Sequence, residues 1–118
     1  MLEVNGITAS YGVIPVLHDV SFTVKQSEIV TILGSNGSGK STILNVIQGM
    51  MKGTGGRVLF QNEPITGLPS HRIVDYGIVT IPEGMKSFPY MTIRENLLLG
   101  AYRNASWAKR RKTLEKII

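Results

Sequence analysis

Residues 34 to 42 read Gly-Ser-Asn-Gly-Ser-Gly-Lys-Ser-Thr, and the first eight fit the pattern G-x-x-x-x-G-K-[ST]. Each residue type in that pattern has a physical role. Gly34, Gly37 and Gly39 let the chain curl, so that the backbone N–H groups around Ser35, Asn36 and Ser38 can turn inward on anionic oxygens. A helix beginning near Lys40 adds the positive end of its dipole. Lys40 supplies a flexible point charge for β- and γ-phosphates. The Ser41 hydroxyl is placed to ligate Mg²⁺, and Thr42 to hydrogen-bond the α-phosphate. The spacing predicts a cradle for a nucleoside triphosphate, formed by Gly34, Ser35, Asn36, Gly37, Ser38, Gly39, Lys40, Ser41 and Thr42.

Such a loop works only between a strand and a helix. The run "EIVTIL" (28–33) is continuously apolar after Glu28 and predicts a strand covered on both faces. "KSTILNVIQGMM" (40–51) predicts a largely buried helix, which "GTGG" (53–56) ends. Upstream, "LEVNGIT" and "DVSFTV" read as strands by their alternation, joined by "YGVIPVL" as an irregular connection or edge strand. Downstream, "RVLFQNEPI" is strand-like with a turn at "QNE", "SHRIVDYG" is a short helix that Gly77 can close, and "IVTIP" is a short buried strand. "EGMKSFPYM" is a loop. Thr92 followed by Glu95 predicts a capping box that opens the helix "IRENLLLGAY". The order predicts an α/β fold with an antiparallel β region at its front.

Composition narrows the chemistry further. The 118 residues suffice for one domain, and the absence of cysteine excludes a disulfide scaffold, thiolate-held zinc and a cysteine nucleophile. No basic start followed by a long apolar stretch is visible at the N-terminus, so no signal peptide is expected. The net charge of +5 falls entirely on the last sixteen residues, where six bases (Arg103, Lys109, Arg110, Arg111, Lys112, Lys116) face Glu115 alone. Trp107, Leu114, Ile117 and Ile118 interleave with them at helical spacing, which predicts an amphipathic helix with a solvated basic face. No nucleic-acid partner is expected. His18 and His71 read as surface or turn residues, Asp19 and Asp75 lack a supporting constellation, and Met85, Met91 and Phe88 read as packing residues.

The segments "LEVNGITASYG", "LHDVSFTVKQSEIVTILGSNGSGKSTILNVIQG", "GRVLFQNEPIT" and "GIVTIPEGMKSFPYMTIRENLLLGAY" together resemble the N-terminal half of an ATP-binding-cassette (ABC) ATPase. Within that family the chain is most similar to the LivF-type subunit of branched-chain amino-acid importers, through its Pro-Glu-Gly and Thr-x-x-Glu-Asn-Leu motifs. The resemblance implies ATP and Mg²⁺ as cofactors, with Lys40 catalytic. It places Tyr11 as the aromatic that stacks on adenine. It makes Glu83 a catalytic and metal-linked residue, where most of the family has glutamine. It also implies transmembrane permease subunits, a second ABC ATPase subunit in a homo- or heterodimer, and a peripheral cytoplasmic location on the inner face of the cell membrane.

The family's signature motif, its Asp-Glu strand and its switch histidine do not occur in these residues. The expectation is therefore an incomplete core sheet and a chain not competent to hydrolyse ATP alone. It divides as a β-rich region and core strand (1–33), the phosphate loop, helix and Glu83 loop (34–91), and the start of a helical subdomain (92–118). The alternatives are another P-loop protein, a GTPase or small kinase, or a non-catalytic nucleotide-binding module. A β-rich region of about thirty residues before the loop and the lack of an Asn-Lys-x-Asp motif weigh against the first of these.

Overall fold

Val4, Ile7 and Ala9 are the buried residues of the first strand, β1 (Leu2–Tyr11), so its period of two slips by one residue after Val4. The slip is a β-bulge at Gly6, whose φ is +60° and whose N–H donates to Ser21 Oγ at 2.8 Å. The computed structural model describes residues 1–84, 86–102 and 104–117. It pairs β1 on one side with β2 (Ile14–Val24) and on the other with β3 (Gly55–Phe60), both antiparallel. A short β4 (Glu63–Pro64) completes a sheet of order β2-β1-β3-β4. Gln61 and Asn62 make the β3–β4 turn with φ of +51° and +66°, the left-handed pair that a tight hairpin requires. Thr66 then extends this ladder with its side chain, accepting from Val58 N–H at 2.8 Å.

The helix α1 (Lys40–Ile47) buries Thr42, Ile43, Val46 and Ile47, the i, i+1, i+4, i+5 stripe that faces a sheet. Ile43, Val46 and Ile47 join Val4, Ile7, Ala9, Leu17 and Val58 in one apolar core, closed by Ile65 and Ile73. Ile73 ends α2 (Ser70–Ile73), which tightens into a 3₁₀ turn at Val74–Tyr76 and stops at Gly77, φ +88°. The antiparallel β region and the short helix closed by Gly77 match what the sequence predicts.

Several expectations are corrected. Of the two readings of "YGVIPVL" the edge strand holds and the irregular connection does not: Gly12 and Val13 form the turn, and Ile14 onward belongs to β2, an edge strand that tolerates Pro15. The helix α1 stops at Gln48 because Gly49 turns left-handed (φ +69°) against the Leu68 carbonyl, leaving no room for a Cβ. "GTGG" therefore plays no part in ending it, and Gly55 and Gly56 lie in β3. Leu44 and Met50 face solvent, so the helical segment is half-buried. The apolar runs at 28–33 and 78–82 join no β-ladder among the described residues. Ile29 is 95% exposed and Ile81 96%. An extended run becomes a buried strand only when neighbours supply hydrogen bonds on its edges and cover on its faces.

Residues 81–118 form a unit distinct from 1–80. It holds α3 (Ile93–Leu99) and α4 (Asn104–Ile117), and α3 contacts α4. Leu114 of α4 is buried, while Lys109, Arg111, Lys112 and Lys116 are exposed, in keeping with a solvated basic face. The Arg110 guanidinium lies 3.9 Å from the Trp107 ring centroid, covering the indole that the helix leaves half-exposed. Phe88 and Met91, expected as packing residues, are exposed; Met85, Arg103 and Ile118 lie outside the described residues.

The start of α3 is a complete capping box. Glu95 N–H donates to Thr92 Oγ1, while the Thr92 N–H and hydroxyl both donate to Glu95 Oε2 at 2.8 Å. Donation from the Thr92 backbone, then from its hydroxyl, holds the Glu95 carboxyl below its ordinary value. A depressed carboxylate contributes stability above its unfolded pKa and loses it as pH falls through the folded one. The first turn of α3 should thus stay ordered above about pH 5 and fray as pH drops below about 4.3. Amide exchange at Thr92 followed by NMR should show that acid-induced loosening, and Glu95→Gln should abolish its pH dependence.

Candidate functional site

The loop between Gly34 and Lys40 is shaped by its glycines. Gly37 and Gly39 adopt φ of +82° and +93°, conformations closed to most side chains. Gly39 carries a second constraint, because a Cβ there would lie 2.8 Å from Leu17 Cδ2 and 3.4 Å from the Val16 carbonyl oxygen. The loop therefore rests directly on β2. At Gly34 the backbone is unstrained, and a Cβ would crowd only the Ser38 side chain, chiefly its Oγ. Ser38 N–H donates to Ser35 O at 3.1 Å, closing a turn through Asn36 and Gly37.

Gly39 is also the N-cap of α1, and no side chain caps that end. The first helical bond is Ile43 N–H to Gly39 O, 3.0 Å, which leaves the N–H groups of Lys40, Ser41 and Thr42 without partners inside the helix. No acidic residue lies in that first turn. Lys40 folds back over the loop, donating from Nζ to Gly34 O at 2.7 Å and Ser35 O at 2.6 Å, with Ser38 Oγ at 3.5 Å. Its ammonium is thus held over the loop by neutral oxygens. Left-handed glycines, uncapped amides, a helix dipole and one cation converge on a small volume, and their shared chemistry is anion binding.

Ser41 is exposed beside Lys40, whereas the Thr42 side chain is buried at 6% exposure. Among the described residues no cluster of three His, Asp or Glu could hold a metal ion. A Mg²⁺ that keeps its waters and takes phosphate oxygens needs only one or two protein ligands, so Ser41 fits that requirement. Next to the loop, an apolar groove of about 340 Å³ is lined by Leu17, Phe22, Val30, Ile32, Lys40 and Ile43.

Tyr11 ends β1, 53% exposed, and pairs across the turn with Ile14. Leu17, which Gly39 touches, lies three residues further along the same strand, roughly 10 Å at strand rise. One edge strand therefore positions both the aromatic ring and the phosphate loop. That role of β2 is invisible in the sequence, because no local pattern couples Leu17 to Gly39. Glu83 is exposed on the loop before α3, in the other unit, followed by Gly84 at φ +77°. His18 and His71 are exposed. A groove of about 550 Å³ between α3 and α4 is lined chiefly by Leu97, Leu98, Leu114 and Ile117, with Lys109, Arg110 and Thr113 as its polar side chains among the described residues.

With this geometry in place, likeness to known proteins becomes informative. The ABC transporter family matches residues 17–118. The branched-chain amino acid transport ATP-binding protein BraG of Pseudomonas aeruginosa is 41% identical over 86% of this chain and 44% of its own length. LivG of Escherichia coli, of the same description, is 34% identical over 86% of this chain and 40% of its own. A nucleotide-free ATP-binding cassette from an ABC transporter superposes with a TM-score of 0.78 at 39% identity, covering 85% of this chain and 40% of that one. A dimeric bacterial ABC transporter cassette gives 0.76 at 30% identity, covering 98% and 55%. The chain spans about two fifths of the length of the curated relatives it matches, 40–44%. An α/β chain with an antiparallel front sheet, whose phosphate loop opens α1 and whose relatives are transporter cassettes, belongs to the ABC transporter ATPase family.

Proposed function

We propose that this chain is the ATP-binding part of an ABC importer ATPase that powers uptake of a small solute, branched-chain amino acids being the substrate class of the relatives named above. The observation that carries the reading is the loop 34–41, seated on β2, opening α1 and folding Lys40 over its own carbonyls. In this reading the backbone amides around Ser35 to Gly39 and at the start of α1 bind the phosphates. Lys40 neutralises the terminal ones. Ser41 would supply a protein oxygen to Mg²⁺, with Glu83 as the second on the family resemblance, and the ion would neutralise charge on the phosphates. Tyr11 takes the base, an aromatic face on a flat ring, about one nucleotide length from the loop.

Glu83 is assigned to Mg²⁺ and the attacking water, and to sensing the membrane subunits. The loop 83–91 joins the 78–82 run to α3, so movement of α3 passes through it. The residues divide functionally as 1–33, 34–91 and 92–118 of one nucleotide-binding domain. Hydrolysis is assigned to the assembly with a second ABC subunit. A dimeric relative supports the paired arrangement. Among the described residues no helix is long and apolar enough to cross a membrane, and attachment is assigned to permease subunits at the inner membrane face. Nothing among the relatives favours a GTPase or small-kinase reading.

Three outcomes test this. Lys40→Ala should weaken Mg-ATP binding by about 2–3 kcal/mol, roughly 30- to 150-fold, the value of a charged hydrogen-bond partner. Calorimetry giving an unchanged affinity in a folded variant would remove the phosphate cradle. Tyr11→Ala should weaken ATP far more than Tyr11→Phe, since stacking needs the ring and not the hydroxyl; equal losses would indicate a hydroxyl contact. In the full-length subunit assembled with its permease, Glu83→Ala should keep ATP affinity within about threefold and cut transport-stimulated hydrolysis by roughly tenfold. Glu83→Gln should restore much of that rate, and normal coupling in Glu83→Ala would make Glu83 a solvated loop carboxylate.

A further inference from the structure

Asn96 follows the capping box by one residue, and its side-chain amide is wholly engaged by the loop in front of the helix. Its Oδ1 accepts from Phe88 N–H at 2.8 Å. Its Nδ2 donates towards three carbonyls, Phe88 O at 3.1 Å, Met91 O at 3.2 Å and Thr92 O at 3.0 Å. Two amide hydrogens serve three acceptors, so at least one bond is shared. Phe88 is held through both of its backbone groups, as a strand residue is held by its neighbour. Met91 N–H donates to Phe88 O at 3.1 Å, so the turn is closed on itself before Asn96 fastens it to α3.

Within this chain, burial contributes little to holding the turn. Phe88, Tyr90, Met91 and Ile93 are 57%, 101%, 42% and 81% exposed, and α3 has no buried residue among those described. The polar contacts of one partly buried side chain are what fix the backbone here. Asparagine is a poor residue for a helix interior because its amide competes for backbone groups. At this position that competition is directed outward and joins the loop to the helix.

We propose that Asn96 is a positioning residue that clips the 88–92 turn to α3, so that the end of the Glu83 loop and the helix move as one piece. Its functional consequence rests on the transporter reading above; the clip itself does not. The test uses the full-length subunit with its permease and two variants. Asn96→Ala removes all four contacts. Asn96→Asp keeps the size and the acceptor for Phe88 N–H but turns an oxygen towards the three carbonyls.

Hydrogen exchange by mass spectrometry in the peptide covering 86–92 should quicken about tenfold in Asn96→Ala, the scale of losing hydrogen bonds of ordinary strength. In both variants transport-stimulated hydrolysis should fall about fivefold or more, while basal hydrolysis and ATP affinity stay within about twofold. Unchanged exchange in Asn96→Ala overturns the clip. Faster exchange with full stimulation in both variants overturns the positioning role, leaving the contacts purely structural. A wild-type subunit that hydrolyses no ATP overturns the transporter reading instead, and the exchange result still decides the clip.

Discussion

The phosphate loop depends on one contact in which a side chain is missing. Gly39 lies on β2 so closely that a methyl group would enter Leu17 and crowd the Val16 carbonyl, and it does so at a φ that only glycine adopts easily. Both constraints act on a single residue, which is also the N-cap of α1. The direction of the helix, the exposure of its uncapped amides and the curl of the loop are therefore all referred to the edge of the hairpin. The core beneath secures the other end, since Ile43, Val46 and Ile47 hold α1 against Val4, Ile7, Ala9 and Leu17. Anion-binding geometry here follows from packing: burial of the apolar stripe fixes the direction of the α1 axis, and the free amides point along that axis from its N-terminal end.

The hairpin has its own fixed points, and they too are backbone features. Gly6 bulges β1, and Gly56 of β3 packs on its carbonyl where no Cβ could fit. The bulge turns the buried set from Val4 to Ile7 and Ala9, and further irregularities between Ile7 and Ser10 leave Ala9 opposite Leu17 and Tyr11 opposite Ile14. A hairpin without the slip would present the other face of its second half to α1. The face that β1 turns towards α1 thus depends on backbone irregularities within the strand itself.

What the sequence made legible was whatever is decided locally. The phosphate loop, the Thr92–Glu95 box, the turn at Gln61–Asn62 and the stop at Gly77 are each set by a few adjacent residues, and each appears where expected. The end of α1 was placed too far along because Gly49 is fixed by a contact with Leu68, nineteen positions away. The runs at 28–33 and 78–82 carry the composition of buried strands, but a strand needs partners, and none pairs with them among the described residues. Asn96 escaped notice for the opposite reason: its residue type marks a weak helix position, and nothing adjacent reveals that its amide reaches back eight residues to Phe88. For the candidate site, the loop residues were readable by spacing, whereas the seating of Gly39 on Leu17 of β2 was not.

Those same apolar runs bear on how the chain behaves at high concentration. Ile29, Leu33, Val79 and Ile81 are exposed in this chain, and exposed β-branched segments are templates for edge-to-edge addition by another copy. The residues around them oppose this. Lys25 and Glu28 precede the first run, and the glycine-rich loop that follows it cannot continue a strand. Pro82 ends the second run, with Glu83 and Lys86 just beyond. Breakers and charges in such places act as gatekeepers against strand addition. The charge excess on the last sixteen residues adds repulsion between copies, and salt, by screening it, would shift the balance towards self-association.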